Sequence, residues 1–176
     1  MLRLALLAVL LLASPASAQA VERYEDADAG WAVKYLDGWT VSPGQDAYTT
    51  KFEAPADEQI DVFFENFTVM ARKQEGPVTT QQAIETIKPM LEKLGAKLLE
   101  EEAGNVRLAG QDAVRLVWSF QFGGIELRMA QLVTTVYDTV YLCTFTVEAS
   151  KQQQYERTAH GMFDSFEFVK AQQPNP

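Results

Sequence analysis

The one histidine of the chain, His160, lies four residues after Glu156 and four before Asp164, a spacing that brings all three to one face of a helix. An imidazole beside a carboxylate is the pairing that a general base needs near neutral pH. A nucleophile has to complete that chemistry, and no strand–turn–helix motif of the G-x-S-x-G type accompanies the three residues. The cluster therefore reads as charged groups on a solvated helix face. The single cysteine, Cys143, alternates with Tyr141, Phe145 and Val147, so its side chain is expected to point inward. A buried thiol behaves as a small hydrophobe and keeps a high pKa. One cysteine and one histidine exclude an intrachain disulfide and leave too little for a Cys/His zinc site.

Carboxylates are more plentiful. Asp26 and Asp28 form one group, Asp57, Glu58 and Asp61 a second, and Glu100, Glu101 and Glu102 a third. A hard cation takes six to eight oxygens from a shaped loop, and none of these segments has the D-x-[DN]-x-[DN]-G pattern. They read as solvated faces, and no metal or other cofactor is expected. Asn66-Phe67-Thr68 has the spacing of a glycosylation acceptor, but beside a bacterial-looking leader it reads as coincidence. Gly123-Gly124 precedes no helix and so cradles no phosphate. The aromatic surplus is the remaining chemical resource. Trp31, Trp39, Trp118, Tyr35, Tyr48 and the Phe63, Phe64, Phe67 group fall in strand-like stretches, and most of them read as core. Aromatic side chains also anchor interfaces and ligand pockets, which makes Trp39, Phe63, Phe64 and Phe67 candidates for a partner or ligand surface.

The elements that must carry these residues follow from length and pattern. The chain has 176 residues, 47% hydrophobic and 22% charged, a globular composition for one domain able to bury its own core. A formal charge of −9 argues against nucleic acid, whose phosphates call for a basic face. Residues 1–18 have the form of a signal peptide. Arg3 supplies the positive end, Leu4 to Ala13 an apolar run too short to span a bilayer, and Ala16-Ser17-Ala18 a small-x-small cleavage site. Ala18-Gln19-Ala20 is a second such site. The mature chain is expected to begin at Gln19 or Val21, to be soluble in the periplasm or beyond, and to have no stable membrane anchor. No second long apolar segment follows.

Residues 21–170 read as a single α+β domain. Short strands are expected at 21–24, 31–35, 39–41 and 48–53, with tight turns at Asp26–Gly30 and Asp37-Gly38. Residues 60–73 form a longer β-rich stretch, with a bulge or bend at Glu65-Asn66 because apolar residues fall on both faces. The period then changes. Ala83, Ile84, Ile87, Met90, Leu91 and Leu94 recur at helical spacing behind a Thr79–Gln82 capping box. Pro89 should kink that helix or end it early, and Gly95 closes it. Strands resume at 97–102 and 106–108. Val114, Leu116, Trp118, Phe120 and Phe122 alternate with a polar set that only Val117 interrupts. A Gly123-Gly124 hairpin, a strand at 127–137, a turn at Asp138-Thr139 and a strand at 140–147 complete a meander. A second capping box, Ser150 with Gln153, opens a helix that runs to about Ser165, with Tyr155, Ala159, Met162, Phe163 and Phe166 inward. Residues 167–169 extend briefly, and 171–176 read as a disordered tail. The outcome is two helices over one largely antiparallel sheet.

Gly30 to Trp39 (GWAVKYLDGW) is similar to the opening of the PsbP-like family, where an extended strand runs into a turn and a tryptophan. Phe52-Glu53-Ala54-Pro55, Glu65 to Val69, Gly110, Gln131, Tyr141 and the closing Phe163-Asp164-Ser165-Phe166 resemble later stretches of that family. Leu36 departs from it, standing where a proline is common. The resemblance, nearest to the bacterial DcrB-like branch, implies an α/β/α sandwich and an accessory role exerted by binding a protein partner or an envelope complex, without a catalytic centre. The alternative is a carrier of a small apolar or lipidic ligand. A closed cavity lined by Phe and Trp would favour the carrier, and a filled core with an exposed apolar patch the partner-binding module.

Overall fold

The computed structural model describes residues 20–56 and 63–169. Strands β1 (Val21–Asp26) and β2 (Trp31–Leu36) pair antiparallel. Next come β3 (Thr40–Pro43), β4 (Thr49–Glu53) and β5 (Asn66–Lys73), then helix α1 (Thr80–Lys93). β6 (Lys97–Glu102) leads to a small hairpin of β7 (Arg107–Leu108) and β8 (Gln111–Asp112). The meander is β9 (Val114–Phe122), β10 (Ile125–Val136) and β11 (Thr139–Glu148). A 3₁₀ turn over Ala149–Lys151 runs into α2 (Gln152–Ser165), and β12 (Glu167–Phe168) follows.

Seven strands make the main sheet, in the order β3-β4-β5-β11-β10-β9-β6, with antiparallel pairing between neighbours. At the β9–β10 turn both glycines take positive φ (56° and 89°), the pair of conformations that matches strand twist in a two-residue hairpin. The two helices lie on opposite faces. On one face Ala83, Ile84 and Ile87 of α1 pack on Leu116, Trp118, Met129, Val133 and Val140. Each large apolar side chain buried there contributes roughly 1.5–3 kcal/mol, more than the propensity differences that favour or disfavour the helix residue by residue. On the other face α2 and the β1-β2-β12 sheet cover Phe52, Phe67, Cys143, Phe145 and Val147. Trp31 stacks on Phe166 at 6.1 Å and Phe163 meets Phe67 edge-on at 5.3 Å, which ties β2 and α2 to the sheet beneath. This is the expected α+β architecture, an α/β/α sandwich.

Several expectations hold at the level of single bonds. The α1 capping box closes in both directions: Gln82 N donates to Thr79 Oγ1 at 3.2 Å and Thr79 N donates to Gln82 Oε1 at 2.9 Å. Gly95, just past the helix, takes φ 85° as a left-handed cap. Other expectations are corrected. The N-terminal strands do not join one sheet: β2 pairs with β1 and β12, while β3 sits at the edge of the main sheet, so the Asp37-Gly38 corner links two sheets. Pro89 does not end α1, which runs four residues beyond it. Pro89 is exposed, so the carbonyl it leaves without an amide can turn to water. The Ser150–Gln153 capping box is absent. The 3₁₀ turn feeds α2 directly, and Ser150 Oγ donates to Glu148 Oε2 at 3.4 Å. The last hairpin turns one residue earlier, at Tyr137-Asp138, with Val136 paired to Thr139. The expected leader (1–18), Gln19, the acidic group Asp57, Glu58 and Asp61, and the expected tail 171–176 lie outside the described residues.

Candidate functional site

A groove of about 270 Å³ runs between α2 and the main sheet. Its floor follows from strand register, because residues opposite one another in a ladder share a face. Phe145 stands opposite Ala130, Ala130 opposite Val117, and Val117 opposite Glu100. In the flanking rows Leu132 pairs with Arg115, and Val147 with Arg128. All of these are α2-side residues. Val117, Ala130, Leu132, Phe145 and Val147 give an apolar floor, and Arg115 and Arg128 stand toward its two ends. Val117, the one apolar interruption of the polar set on β9, is thus a floor residue.

β6 completes this side through a bulge. The pairing passes from Leu98 opposite Trp118 to Glu100 opposite Val117, so Leu99 is the extra, unpaired residue. The bulge keeps Leu98 under α1 and swings Glu100 to the groove side, where it accepts from Arg115 Nη1 at 2.8 Å. Arg128 Nη2 lies 3.0 Å from Glu126 Oε1. Both pairs are partly solvated and contribute at most about 1 kcal/mol each, but they neutralise the two guanidiniums locally. The remaining acids of the third group separate: Glu101 takes Lys88 of α1 at 2.8 Å.

The opposite wall is α2. Tyr155, Ala159 and Phe163 face the floor, and Glu156, His160 and Asp164 follow at four-residue steps along the rim. The sequence therefore placed these three on one face correctly, and that face borders the groove. No serine, threonine or cysteine lines it among the described residues. Cys143 lies on the same sheet face but is fully covered by the core, and burial pushes its thiol pKa up. No group of three His, Cys, Asp or Glu side chains could hold a metal ion among the described residues. Asp26 instead serves a turn, its Oδ1 accepting Ala29 N at 2.9 Å.

The four aromatic surface candidates divide. Trp39 is only 8% exposed and packs 6.2 Å from Phe145. Phe67 is completely buried between Phe52, Phe145 and Phe163. These two are core residues and present no surface. Phe63 is half-buried and meets Phe122 edge-on at 6.2 Å, at the Gly123-Gly124 end of the sheet. Phe64 is 39% exposed and Phe122 54%. Phe122 belongs to the apolar set of the β9 alternation, but it lies past the end of the helix-covered layer, where that alternation no longer reports burial.

The loop carrying Phe63 and Phe64 is fastened by Glu65, a buried carboxylate that strand patterning did not mark. Ala54 N donates to Glu65 O at 2.8 Å, and Glu148 N to Glu65 Oε1 at 3.4 Å. Lys151 Nζ lies 3.9 Å from Glu65 and 3.7 Å from Glu148, linking the aromatic loop to the start of α2. The bend expected at Glu65-Asn66 is this anchorage, with β5 beginning at Asn66.

No protein-family model matches the chain, and no curated protein matches it either. Solved structures do. The chain is similar to the solution structure of cyanobacterial PsbP (CyanoP) from Synechocystis, with a TM-score of 0.61 at 16% identity over 89% of this chain and 96% of that one. A Bacteroides thetaiotaomicron protein gives a TM-score of 0.57 at 18% identity over 88% of this chain, which spans only 50% of the length of that protein. LpqN, involved in cell envelope biogenesis of Mycobacterium tuberculosis, gives 0.53 at 10% identity, with 90% of this chain and 87% of that one covered. The chain has the PsbP-like fold.

Proposed function

We propose that this chain is an exported, non-enzymatic accessory protein of the periplasm or cell envelope that acts by binding a protein partner. The observation that carries the reading is the ring contact between Phe63 and Phe122 with exposed Phe64 next in the chain, held at one end of the sheet by the Glu65 anchorage. Aromatic side chains that stay solvent-accessible in a monomer, gathered on a fixed loop and a hairpin end, are the composition of an interface anchor. The leader-like residues 1–18 support export, and a structural neighbour named for cell envelope biogenesis supports the envelope as the setting. No helix of the described residues is long and apolar enough to cross a membrane.

The carrier alternative predicted a closed cavity lined by Phe and Trp. The groove beside α2 is open to solvent, charged at its rim and without tryptophan, so it does not fit that form. The test of partner binding is affinity capture from crosslinked envelope extract, run side by side with the wild-type chain and the Phe64→Ser, Phe122→Ser double variant. A partner recovered by the wild type and lost by the variant supports the reading. Identical recoveries from both would overturn it.

A further inference from the structure

We propose that Lys151 is the positioning residue of the aromatic end: its ammonium holds Glu65 inside the fold and thereby keeps the ring of Phe64 accessible to a partner. The proposal rests on partner binding through that end and names what sets the geometry of the surface. It starts from an inversion of ordinary burial. Glu65 is 1% exposed, while Phe64 beside it is 39% exposed. A carboxylate inside and a phenyl ring outside is the reverse of what solvation alone selects, so a specific contact must hold the segment in that position.

Lys151 supplies that contact from the far side of the sequence. It sits in the 3₁₀ turn before α2, and its side chain is only 13% exposed. Its Nζ stands 3.9 Å from Glu65 Oε1 and 3.7 Å from Glu148 Oε1, and Glu148 N donates to Glu65 Oε1 at 3.4 Å. An intact buried ion pair adds little stability over an apolar replacement, but removing one partner strands a charge at high cost. What the pair adds is a single position for the segment. With the ammonium gone, the Glu65 carboxylate gains by reaching water. The Ala54 N–H bond to Glu65 O, which ties the end of β4 to the start of β5, is then lost. Phe63 leaves the ring of Phe122, and Phe64 can turn inward.

The test compares the wild type with Lys151→Arg, Lys151→Met, and Lys151→Met combined with Glu65→Gln. The first keeps the charge, the second keeps an aliphatic stem without it, and the third also removes the buried anion while leaving an acceptor for Glu148 N. Two readouts need no partner. One is hydrogen exchange at the Ala54 and Glu148 amides, the donors to Glu65. The other is the nuclear Overhauser contact between the Phe63 and Phe122 rings. In Lys151→Met both amides should exchange at least about tenfold faster and the ring contact should vanish, with exchange at Leu132 and Val133 of β10 unchanged. Lys151→Arg and the double variant should behave as the wild type. Capture of a partner from crosslinked envelope extract should fall at least about tenfold for Lys151→Met alone. The proposal is overturned if Lys151→Met leaves the amides and rings as in the wild type, if it speeds exchange equally through the sheet, if Glu65→Gln does not restore them, or if it captures as well as the wild type. Should the amides and rings respond as stated while even the wild type captures nothing, the positioning is upheld and partner binding is what fails.

Discussion

Trp118 donates its indole N–H to Gln131 Oε1 at 2.9 Å inside the layer covered by α1, and Gln131 passes the chain on, donating Nε2 to Thr144 Oγ1 at 3.3 Å. The bond crosses the β9–β10 ladder diagonally, and all three residues are buried. It gives the largest side chain of that core a polar partner, which a buried indole needs.

Replacing Trp118 by Ala should cost about 3–5 kcal/mol, the range for deleting a large buried aromatic. The Phe variant separates packing from the hydrogen bond. It keeps an aromatic ring but leaves Gln131 Oε1 without its donor, at a cost of about 1–3 kcal/mol. Denaturant unfolding measures both. A neutral Trp118→Phe would mean that Gln131 finds another donor and that the bond does not hold this layer together.

Cys143 should resist thiol reagents in the native protein and react only on unfolding, since its side chain is covered and burial raises its pKa. The same burial gives a pH dependence. The unfolded thiol ionises near 9.0 while the folded one stays protonated, so the unfolded state loses its proton first. The stabilisation is therefore fully present below pH 9.0 and declines as pH rises above it. Tyr141, raised chiefly by burial, adds a loss of the same sign at higher pH. Cys143→Ala should flatten the first part of that decline in stability-versus-pH curves. Fast labelling of native protein would contradict the burial.

Much of this core is legible in the sequence for a physical reason. The alternation in 114–122 and the helical period in 83–94 are local patterns, and burial on one face enforces each of them. Val117 interrupts the polar row without any local sign of why, and the groove beneath α2 supplies the reason. What stayed hidden depends on distant partners. Nothing near Glu167 says that it will pair with Ala32, which is what draws β1, β2 and β12 into a separate sheet. Likewise Trp39 and Phe67 carry the same local signal as Phe64, and only the arrival of α2 and the small sheet decides which of them is covered. The Leu99 bulge is similarly silent, because three consecutive glutamates fit either register.

Tyr137 occupies the left-handed region (φ 54°) at the β10–β11 turn while its side chain is 90% exposed. A bulky residue is strained there, and an exposed ring returns little packing. Tyr137→Asn should therefore stabilise the fold by up to about 1 kcal/mol, read as a higher denaturation midpoint at unchanged slope. A lower midpoint would show that the ring makes contacts worth more than the strain.

If residues 1–18 are removed as a leader, as proposed, two products are expected. Cleavage after Ala18 leaves Ala20, whose carbonyl accepts Asp37 N at 2.9 Å next to the β1–β2 pair, whereas cleavage after Ala20 removes that acceptor. Intact-mass measurement of the exported chain should show a start at Gln19 or Val21. A retained Met1 in the envelope fraction would contradict export by cleavage.

Photocrosslinking inside the cell shows whether the protein works, as proposed, by contact through its aromatic end. A benzoylphenylalanine placed at Phe122 should give a discrete covalent adduct with another protein, while the same group at Leu94, an exposed apolar position after α1, should give none. Adducts of equal yield from both positions, or none from Phe122, would mean that the aromatic end is not a contact surface.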